Sequence, residues 1–329
     1  MNLVTGASGF IGSAVVRRLL ARGGKVRCFV EPGARRDNLD GLDVEIVAGD
    51  VNDRDAVRRA LDGCDTLFHL AAIYAIWTRD PSLIYRVNVE GSKTVLWAAY
   101  HAKVKRVVYT SSISAIGSGE DGVPVDETQG FSARDWDDGN AYIRSKWLSE
   151  NDALRFAQEG LPLVVVNPAF PFGERDLGPT PTGGIILGAL QKKIPGYVDA
   201  GFCAIDVDDC AEGHVLAAER GRVGERYILG NHNVTMRDFY RTVARVAGIK
   251  IPERRIPVGV AESVGWMMEK WADRSGKPPL ATRKATRYAA HTHFFDNSKA
   301  RRELGLPSTP LDVTIEKAVR WFRTHGYAG

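Results

Sequence analysis

The 329-residue chain is poor in the features that mark several common classes of protein. It has four cysteines, Cys28, Cys64, Cys203 and Cys210, none at CxxC spacing and each alone in apolar surroundings. That excludes a disulfide framework and a zinc site and leaves buried thiols as the expectation. No run reaches the ~18 uncharged apolar residues of a transmembrane helix. Met1-Asn2-Leu3 leads directly into a strand-like run, with no room for a signal peptide. We therefore expect no membrane span and a cytoplasmic protein. Basic runs interleaved with stacking aromatics are missing, which argues against a nucleic-acid partner. Internal repeats and low-complexity segments are missing too. Net charge is small, 44 Lys+Arg against 40 Asp+Glu, but uneven: residues 250–329 hold 15 Lys/Arg against 8 Asp/Glu. A solvated basic surface is the plain reading of that tail, and a small anionic substrate the alternative.

The chain is rich in glycine, 34 residues, and in short β-branched runs alternating with amphipathic stretches. Strand-like runs are Leu3–Thr5, Val26–Val30, Val44–Val47, Thr66–Leu70, Arg106–Thr110 and Leu163–Val166. Between them apolar residues recur at three and four, as in Ile11, Val15, Val16, Leu19 and Leu20, and stop at glycine. Asp80-Pro81 opens a helix predicted to run to about Lys103. Six strands with right-handed crossovers predict an α/β fold, a doubly wound parallel sheet of the Rossmann type. After Asn167 the alternation breaks into Pro/Gly-rich loops. The expected division is a dinucleotide-binding domain over 1–170, with a return over about 203–230, and a smaller α+β substrate domain over 171–202 and 231–329.

Thr5-Gly6-Ala7-Ser8-Gly9-Phe10-Ile11-Gly12 follows the first strand and opens the first helix. Such a glycine triplet allows a tight turn, close approach of backbone amides to a pyrophosphate, and close helix–strand packing, with the anion on the helix N-terminus. Nineteen residues past Gly12 stands Glu31, where a carboxylate accepts from ribose hydroxyls and repels a 2′-phosphate. This favours NAD, although Arg35 and Arg36 lie near enough to leave NADP open. Asp50-Val51 falls at the adenine edge, and Leu70-Ala71-Ala72 supplies small residues beside the cofactor.

Tyr142 and Lys146 are spaced i,i+4 at the start of a helix, which puts them on one face. Thirty residues earlier, Val107–Ser112 is an apolar strand ending in hydroxyls at the carboxyl edge of the sheet, where ligands of doubly wound folds bind. A phenol with a pKa near ~10 is a poor acid or base at neutral pH until a nearby ammonium stabilises its phenolate. Lys146 supplies that charge and can also hold cofactor ribose, while a strand-end serine hydrogen-bonds the substrate oxygen.

With these residues in place, the chain resembles the extended short-chain dehydrogenase/reductase family, also called the NAD-dependent epimerase/dehydratase group, over nearly its whole length. The likeness rests on TGASGFIG, GDVND, FHLAA, NVEGS, YTSS, YIRSK, VNP, DVDDCAEGH, GERYILGN and DNSKARRELG. Within the family it looks most like the hopanoid-associated sugar epimerase and dihydroflavonol-reductase-like branches. The resemblance implies proton transfer by Tyr142, support from Lys146, and Ser112 as the substrate-oxygen serine, with Ser111 and Ser114 as neighbours. It also implies that Asn88 lies near the active site and that Asn167-Pro168 contacts the nicotinamide carboxamide. Ala169 and Asp206 depart from the pattern on the expected substrate side.

Tyr74, Trp77, Phe170, Phe172 and Tyr197 are candidates for an aromatic wall around a bulky carbonyl compound, or for core packing. Arg175 is a candidate for a sugar-nucleotide pyrophosphate, or a solvated charge. Val258–Ala272, with Trp266, Met267, Met268 and Trp271, reads as a core-packed helix of the second domain, with a partner- or membrane-facing helix as the alternative. The expected activity is NAD(P)-dependent hydride transfer to a small-molecule substrate, a carbonyl reductase in the first instance. A nucleotide-sugar epimerase and a dinucleotide sensor without turnover are the rivals. A homodimer through the helices beginning near Ser82 and Tyr142 is what the resemblance suggests.

Overall fold

The computed structural model describes residues 1–328 apart from 76, 121, 139 and 277–281, and apart from the side chains of 138, 284, 285 and 289. In chain order the elements are β1 (Asn2–Thr5), α1 (Phe10–Ala21), β2 (Val26–Val30), β3 (Glu45–Ala48), α2 (Arg54–Leu61) and β4 (Thr66–His69). Then come α3 (Pro81–Tyr85), α4 (Ser92–His101), β5 (Arg106–Thr110), α5 (Ala133–Asp138), α6 (Ala141–Gln158), β6 (Leu163–Pro168) and β7 (Phe170–Phe172). The remainder is α7 (Pro181–Leu190), β8 (Gly201–Asp206), α8 (Val207–Arg220), β9 (Arg226–Leu229), β10 (His232–Thr235), α9 (Met236–Ala247), α10 (Val258–Ser275), α11 (Arg283–Ala289), β11 (Thr292–His293) and α12 (Leu311–Thr324).

Seven parallel strands form the larger sheet, in the order β3-β2-β1-β4-β5-β6-β9. Because successive strand residues point to opposite faces, the apolar runs bury on both sides. Leu3, Leu67, Val107, Tyr109 and Val165 meet α2, α4 and α6. Val4, Phe68, Val108, Val164 and Val166 meet α1 and α8. The expected doubly wound sheet is present, and β9 adds a seventh strand beside β6 through pairing of Val165–Pro168 with Arg226–Leu229.

The helix expected over 80–103 is present in two α-helical pieces, α3 and α4, joined by a π-type turn over Arg86–Gly91. Asp80 caps it by accepting from the Ser82 amide at 3.0 Å, and Pro81 fills the first turn. The wider turn accommodates an extra residue inside the helix, a device that often serves a function. Here it buries the Asn88 side chain.

A second sheet has β8 at its centre, with β10 antiparallel to it and β7 and β11 parallel. α7, α9 and α12 close over it around Phe172, Phe202, Phe239 and Phe322. Phe172 lies 4.9 Å from Phe239, ring centre to ring centre, so it is a core residue and not part of a ligand wall. Asp206 is likewise structural. It caps α8 and, fully buried, meets Thr314 Oγ1 at 2.9 Å and Lys317 Nζ at 3.1 Å. Cys28, Cys203 and Cys210 are buried and Cys64 half-buried, all free thiols.

Candidate active site

The turn between β1 and α1 is possible only with glycine. Gly6 has φ +65°, and a Cβ there would sit 2.8 Å from the Ala71 nitrogen. A Cβ on Gly12 would sit 2.1 Å from the Gly6 carbonyl oxygen. With no side chain intervening, β1, the first turn of α1 and the Leu70-Ala71 backbone close on one another. Gly9 caps α1 with no side-chain hydrogen bond, so the first-turn amides remain open to a ligand. Thr5 Oγ1 accepts from the Leu70 and Ala71 amides at 3.1 and 3.2 Å and meets His69 Nδ1 at 2.7 Å, while His69 Nε2 reaches Ser92 Oγ at 3.0 Å. Burial, with a smaller contribution from Lys146, pushes the imidazole down to about 3. A neutral histidine therefore ties β1, β4 and α4 together beneath the turn.

A cavity of about 770 Å³ runs from this turn across the carboxyl ends of the strands. On one side it is lined by Gly6, Ser8, Gly9, Phe10, Ile11, Glu31, Asp50, Val51, Leu70, Ala71, Ala72 and Pro168. These residues fit a dinucleotide. The cradle has no room for a Cβ, the helix N-terminus is open, and a carboxylate stands at the end of β2. Arg35 is not on the wall; its guanidinium pairs with Asp37 at 3.1 and 3.0 Å and faces solvent. Arg175 does not line the cavity either.

Ser112, Tyr142 and Lys146 all line the cavity, and the Ser112 hydroxyl hydrogen-bonds the Tyr142 phenol. Asn140 starts α6 by accepting from the Ile143 amide at 3.0 Å, which sets Tyr142 in the first turn and Lys146 one turn on. Lys146 is buried and donates to the Thr110 carbonyl at 3.0 Å. Desolvation pushes the ammonium down to about 8, against an upward pull from Glu150. Desolvation also pushes the Tyr142 phenol up to about 12, with the Ser112 hydroxyl acting the other way. Ser112 Oγ accepts from the Ser114 amide at 3.1 Å and lies 3.2 Å from Ser114 Oγ. Ser111 Oγ, on the same wall, is buried without a hydrogen-bond partner.

Two asparagines expected at the site stand behind its wall. Asn88 Oδ1 accepts from the Ile73 amide at 2.7 Å, and Nδ2 donates to the Ile73 carbonyl at 3.1 Å and to Ser145 Oγ at 3.0 Å. It pins the 70–74 segment to α6. Asn167 Nδ2 donates to the Ser112 carbonyl at 2.9 Å and to Glu150 Oε2 at 2.6 Å, and Glu150 in turn pairs with Arg226 at 3.0 Å. Both amides hold backbone in place and have no donor left for a ligand.

The far side of the cavity is built from Tyr74, Phe170, Thr182, Ile185, Tyr197, Met236, Tyr240 and Tyr288, with Ala169 also present. Trp77 is half-buried but off the wall. The Tyr74 ring stands 4.7 Å from that of Tyr142, and its surface, 43% exposed, faces the cleft, where desolvation pushes its phenol up. Tyr288 stacks on His293 at 4.0 Å. Among the described residues, no lysine or arginine comes from α7, the 196–200 loop, α9 or α11 to this part of the wall, while Arg86 reaches the cavity from the turn between α3 and α4. Ile185, Met236, Tyr240 and Tyr288 escaped the sequence reading because they lie far apart in the chain with no shared motif.

Comparison with known proteins agrees with this geometry. The model of the NAD dependent epimerase/dehydratase family matches residues 2–230. The chain is 39% identical over 328 residues to a protein of Synechocystis named as a dihydroflavonol 4-reductase, covering 98% of this chain and 95% of that one. It is 33% identical over 332 residues to the sterol demethylase protein B of Methylococcus capsulatus, covering 99% of each. The crystal structure of a nucleoside-diphosphate-sugar epimerase from Pseudomonas aeruginosa superposes with a TM-score of 0.82 at 28% identity, covering 100% of this chain and 99% of that one.

Proposed function

The chain belongs to the NAD dependent epimerase/dehydratase family, and from that premise we propose that it moves hydride between NAD(P) and the carbonyl or carbinol carbon of a bulky, uncharged, largely apolar substrate. The observation that carries this reading is the far wall of the cavity, aromatic, aliphatic and hydroxylic, with no cation among the described residues of α7, the 196–200 loop, α9 or α11. A sugar nucleotide brings a diphosphate that needs buried guanidinium or ammonium partners. Relatives named for flavonoid and sterol chemistry support the same reading.

A dinucleotide held by its pyrophosphate at the glycine turn would supply or accept the hydride through its nicotinamide. In reduction, Tyr142 donates its phenolic proton to the carbonyl oxygen. A phenol pushed up to about 12 holds that proton at neutral pH. It gives the proton up when an adjacent cation stabilises the phenolate, and Lys146, fixed on the Thr110 carbonyl, is that cation. Ser112 turns its hydroxyl to the same oxygen, with its backbone held by Asn167. Tyr74 and Tyr288 narrow the cleft over the reacting carbon and keep water out.

Glu31 supports NAD over NADP, since Arg35 is engaged by Asp37. The reading also includes a cytoplasmic homodimer through α4 and α6, where Trp97 and Tyr100 are exposed. It further includes a division into a dinucleotide unit and a substrate unit along the two sheets. Sedimentation velocity tests the dimer. The function is tested by offering aryl and alicyclic ketones with reduced dinucleotide, and UDP-sugars with none added. Ketone-dependent dinucleotide oxidation is the expected result. Sugar-nucleotide interconversion by protein purified with stoichiometric NAD would overturn it and favour the epimerase.

A further inference from the structure

The Tyr142 hydroxyl is one end of a row of hydroxyls. Ser112 Oγ hydrogen-bonds the Tyr142 phenol and donates to Ser114 Oγ at 3.2 Å, and the Ser114 hydroxyl hydrogen-bonds the Tyr288 phenol. All of these residues line the cavity. The middle of the row is built locally. Ser112 caps the short helical turn Ile113–Ala115 and accepts from the Ser114 amide at 3.1 Å, which folds the two serine side chains together. The far end comes from a distant part of the chain. Tyr288 sits on α11, where its ring stacks on His293 at 4.0 Å and its carbonyl accepts from His293 Nε2 at 2.7 Å. α11 leans in turn on α10, the helix expected to pack into a core. α10 does so on one side only: Gly265 and Ala272 are buried, and a Cβ on Gly265 would meet Thr286 Oγ1 at 2.8 Å. Its other side, with Val260, Val264, Met267 and Trp271, is an exposed stripe.

We propose that Ser112, Ser114 and Tyr288 form a relay that returns a proton to Tyr142 after each reduction, with Tyr288 as a positioning residue supplied by the second sheet's side of the molecule. This rests on the hydride-transfer reading above. Each reduction takes the proton of Tyr142 and leaves a phenolate, so the next turnover requires a proton from solvent. Lys146 is a poor route for it. The ammonium is buried on the Thr110 carbonyl, and giving up a proton would remove the charge that stabilises the phenolate. The row of hydroxyls leads instead from Tyr142 to the half-buried Tyr288. A hydroxyl both donates and accepts, so a row of them passes a proton along by shifting each one to the next oxygen. Once the product alcohol has formed, Ser112 turns its hydroxyl from the product oxygen to the phenolate. Ser112 then gives its proton to Tyr142, Ser114 gives its own to Ser112, Tyr288 gives its own to Ser114, and solvent water reprotonates Tyr288 and leaves as hydroxide. Every O–H bond broken along the row is matched by one formed, and no electron pair changes its oxidation level. The shift ends with Ser112 donating to Ser114, which is the direction of that bond in the structure.

Rapid mixing of the full chain with excess ketone and reduced dinucleotide separates the first turnover from the later ones. The first spends the proton already on Tyr142, and every later one waits for the relay. Tyr288→Phe should therefore lower the steady-state rate ~10-fold relative to the first turnover, with KM for the ketone within about twofold of normal. Phenylalanine keeps the ring that stacks on His293, so this variant removes only the hydroxyl. Ser114→Ala should show the same split between the two phases, and Ser114→Thr, which keeps a hydroxyl, should restore the steady state. A normal steady-state rate in Tyr288→Phe overturns the relay. Equal slowing of both phases overturns it too, because it would make Tyr288 and Ser114 supports of the wall and nothing more. Ketone reduction by the unaltered protein reads the functional proposal separately, so reduction with unaffected variants leaves that reading standing and the relay fallen. Sugar-nucleotide interconversion overturns both, since an epimerase consumes no proton from solvent.

Discussion

The two ends of the cavity are made in different ways. The dinucleotide end is mostly backbone, a glycine turn, a helix N-terminus and strand ends, held by contacts that admit no added atom. The proposed substrate end is mostly side chain, gathered from β7, α7, the 196–200 loop, α9 and α11. A site made of backbone tolerates almost no substitution and serves one ligand. A site made of side chains can be refitted one residue at a time, which is how a single fold comes to host many substrates.

Gly12→Ala should break the first end outright. Its Cβ would sit 2.1 Å from the Gly6 carbonyl, a backbone atom that cannot move without opening the turn. The expected result is no measurable dinucleotide binding by calorimetry, with a lowered melting temperature. Normal binding by that variant would show that the turn is less tightly determined than its geometry says. Next in size, Tyr142→Phe should lower turnover ~100-fold or more, the scale of lost acid catalysis, with dinucleotide affinity within about twofold of normal. Full turnover would remove Tyr142 from the proton transfer.

The same contrast decides what was legible beforehand. The β1 turn, the strands of the larger sheet and the Tyr142–Lys146 pair are local patterns, set by spacings of a few residues, and they can be read from the chain. Asn88 and Asn167 were placed near the site, but the hydrogen bonds they make there were out of reach. Which hydrogen bonds an amide makes depends on neighbours such as Ile73, Ser145 and Glu150, fixed only by tertiary packing. Phe172 and Trp77 show the same limit for aromatics, because composition does not tell a core ring from a ligand wall. The α10 stripe shows it in reverse, since apolar periodicity states that one face seeks company and not which company.

The pH dependence of reduction should carry the signature of the shared middle of the cavity. Lys146 is pushed down to about 8, so its charge is present below that pH and lost above it. Tyr142, pushed up to about 12, keeps its proton across the same range. The kcat/KM for reduction should thus fall about tenfold per unit above pH 8. In Lys146→Met that limb should vanish, on a much lower baseline. A limb that survives in the variant belongs to another group.

At the substrate end the effects should be smaller and confined to one ligand. Tyr240→Ala removes a ring from the α9 part of the wall. It should raise KM for a bulky ketone ~10-fold and leave the dissociation constant of the dinucleotide unchanged, as titrated by fluorescence. Equal weakening of both ligands would mean that the two ends are coupled and that the contrast between them is too sharply drawn.

The smallest expected effect belongs to the one side chain on which specificity at the backbone-made end depends. Glu31 ends β2 on the cavity wall, placed to accept from ribose hydroxyls and to repel a 2′-phosphate. Glu31→Ala removes both, so affinity for NAD should fall severalfold while that for NADP rises, narrowing their ratio by ~10-fold. Arg35 cannot complete the reversal, because its guanidinium is held by Asp37 on the solvent side. Adding Asp37→Ala to Glu31→Ala would free Arg35 for a 2′-phosphate and should carry the ratio past unity. Paired NAD and NADP titrations on both variants check the order of the two steps. A wild-type protein that already prefers NADP would show that Arg35 leaves Asp37 when the phosphate arrives, and that an exposed surface ion pair is no barrier to cofactor choice.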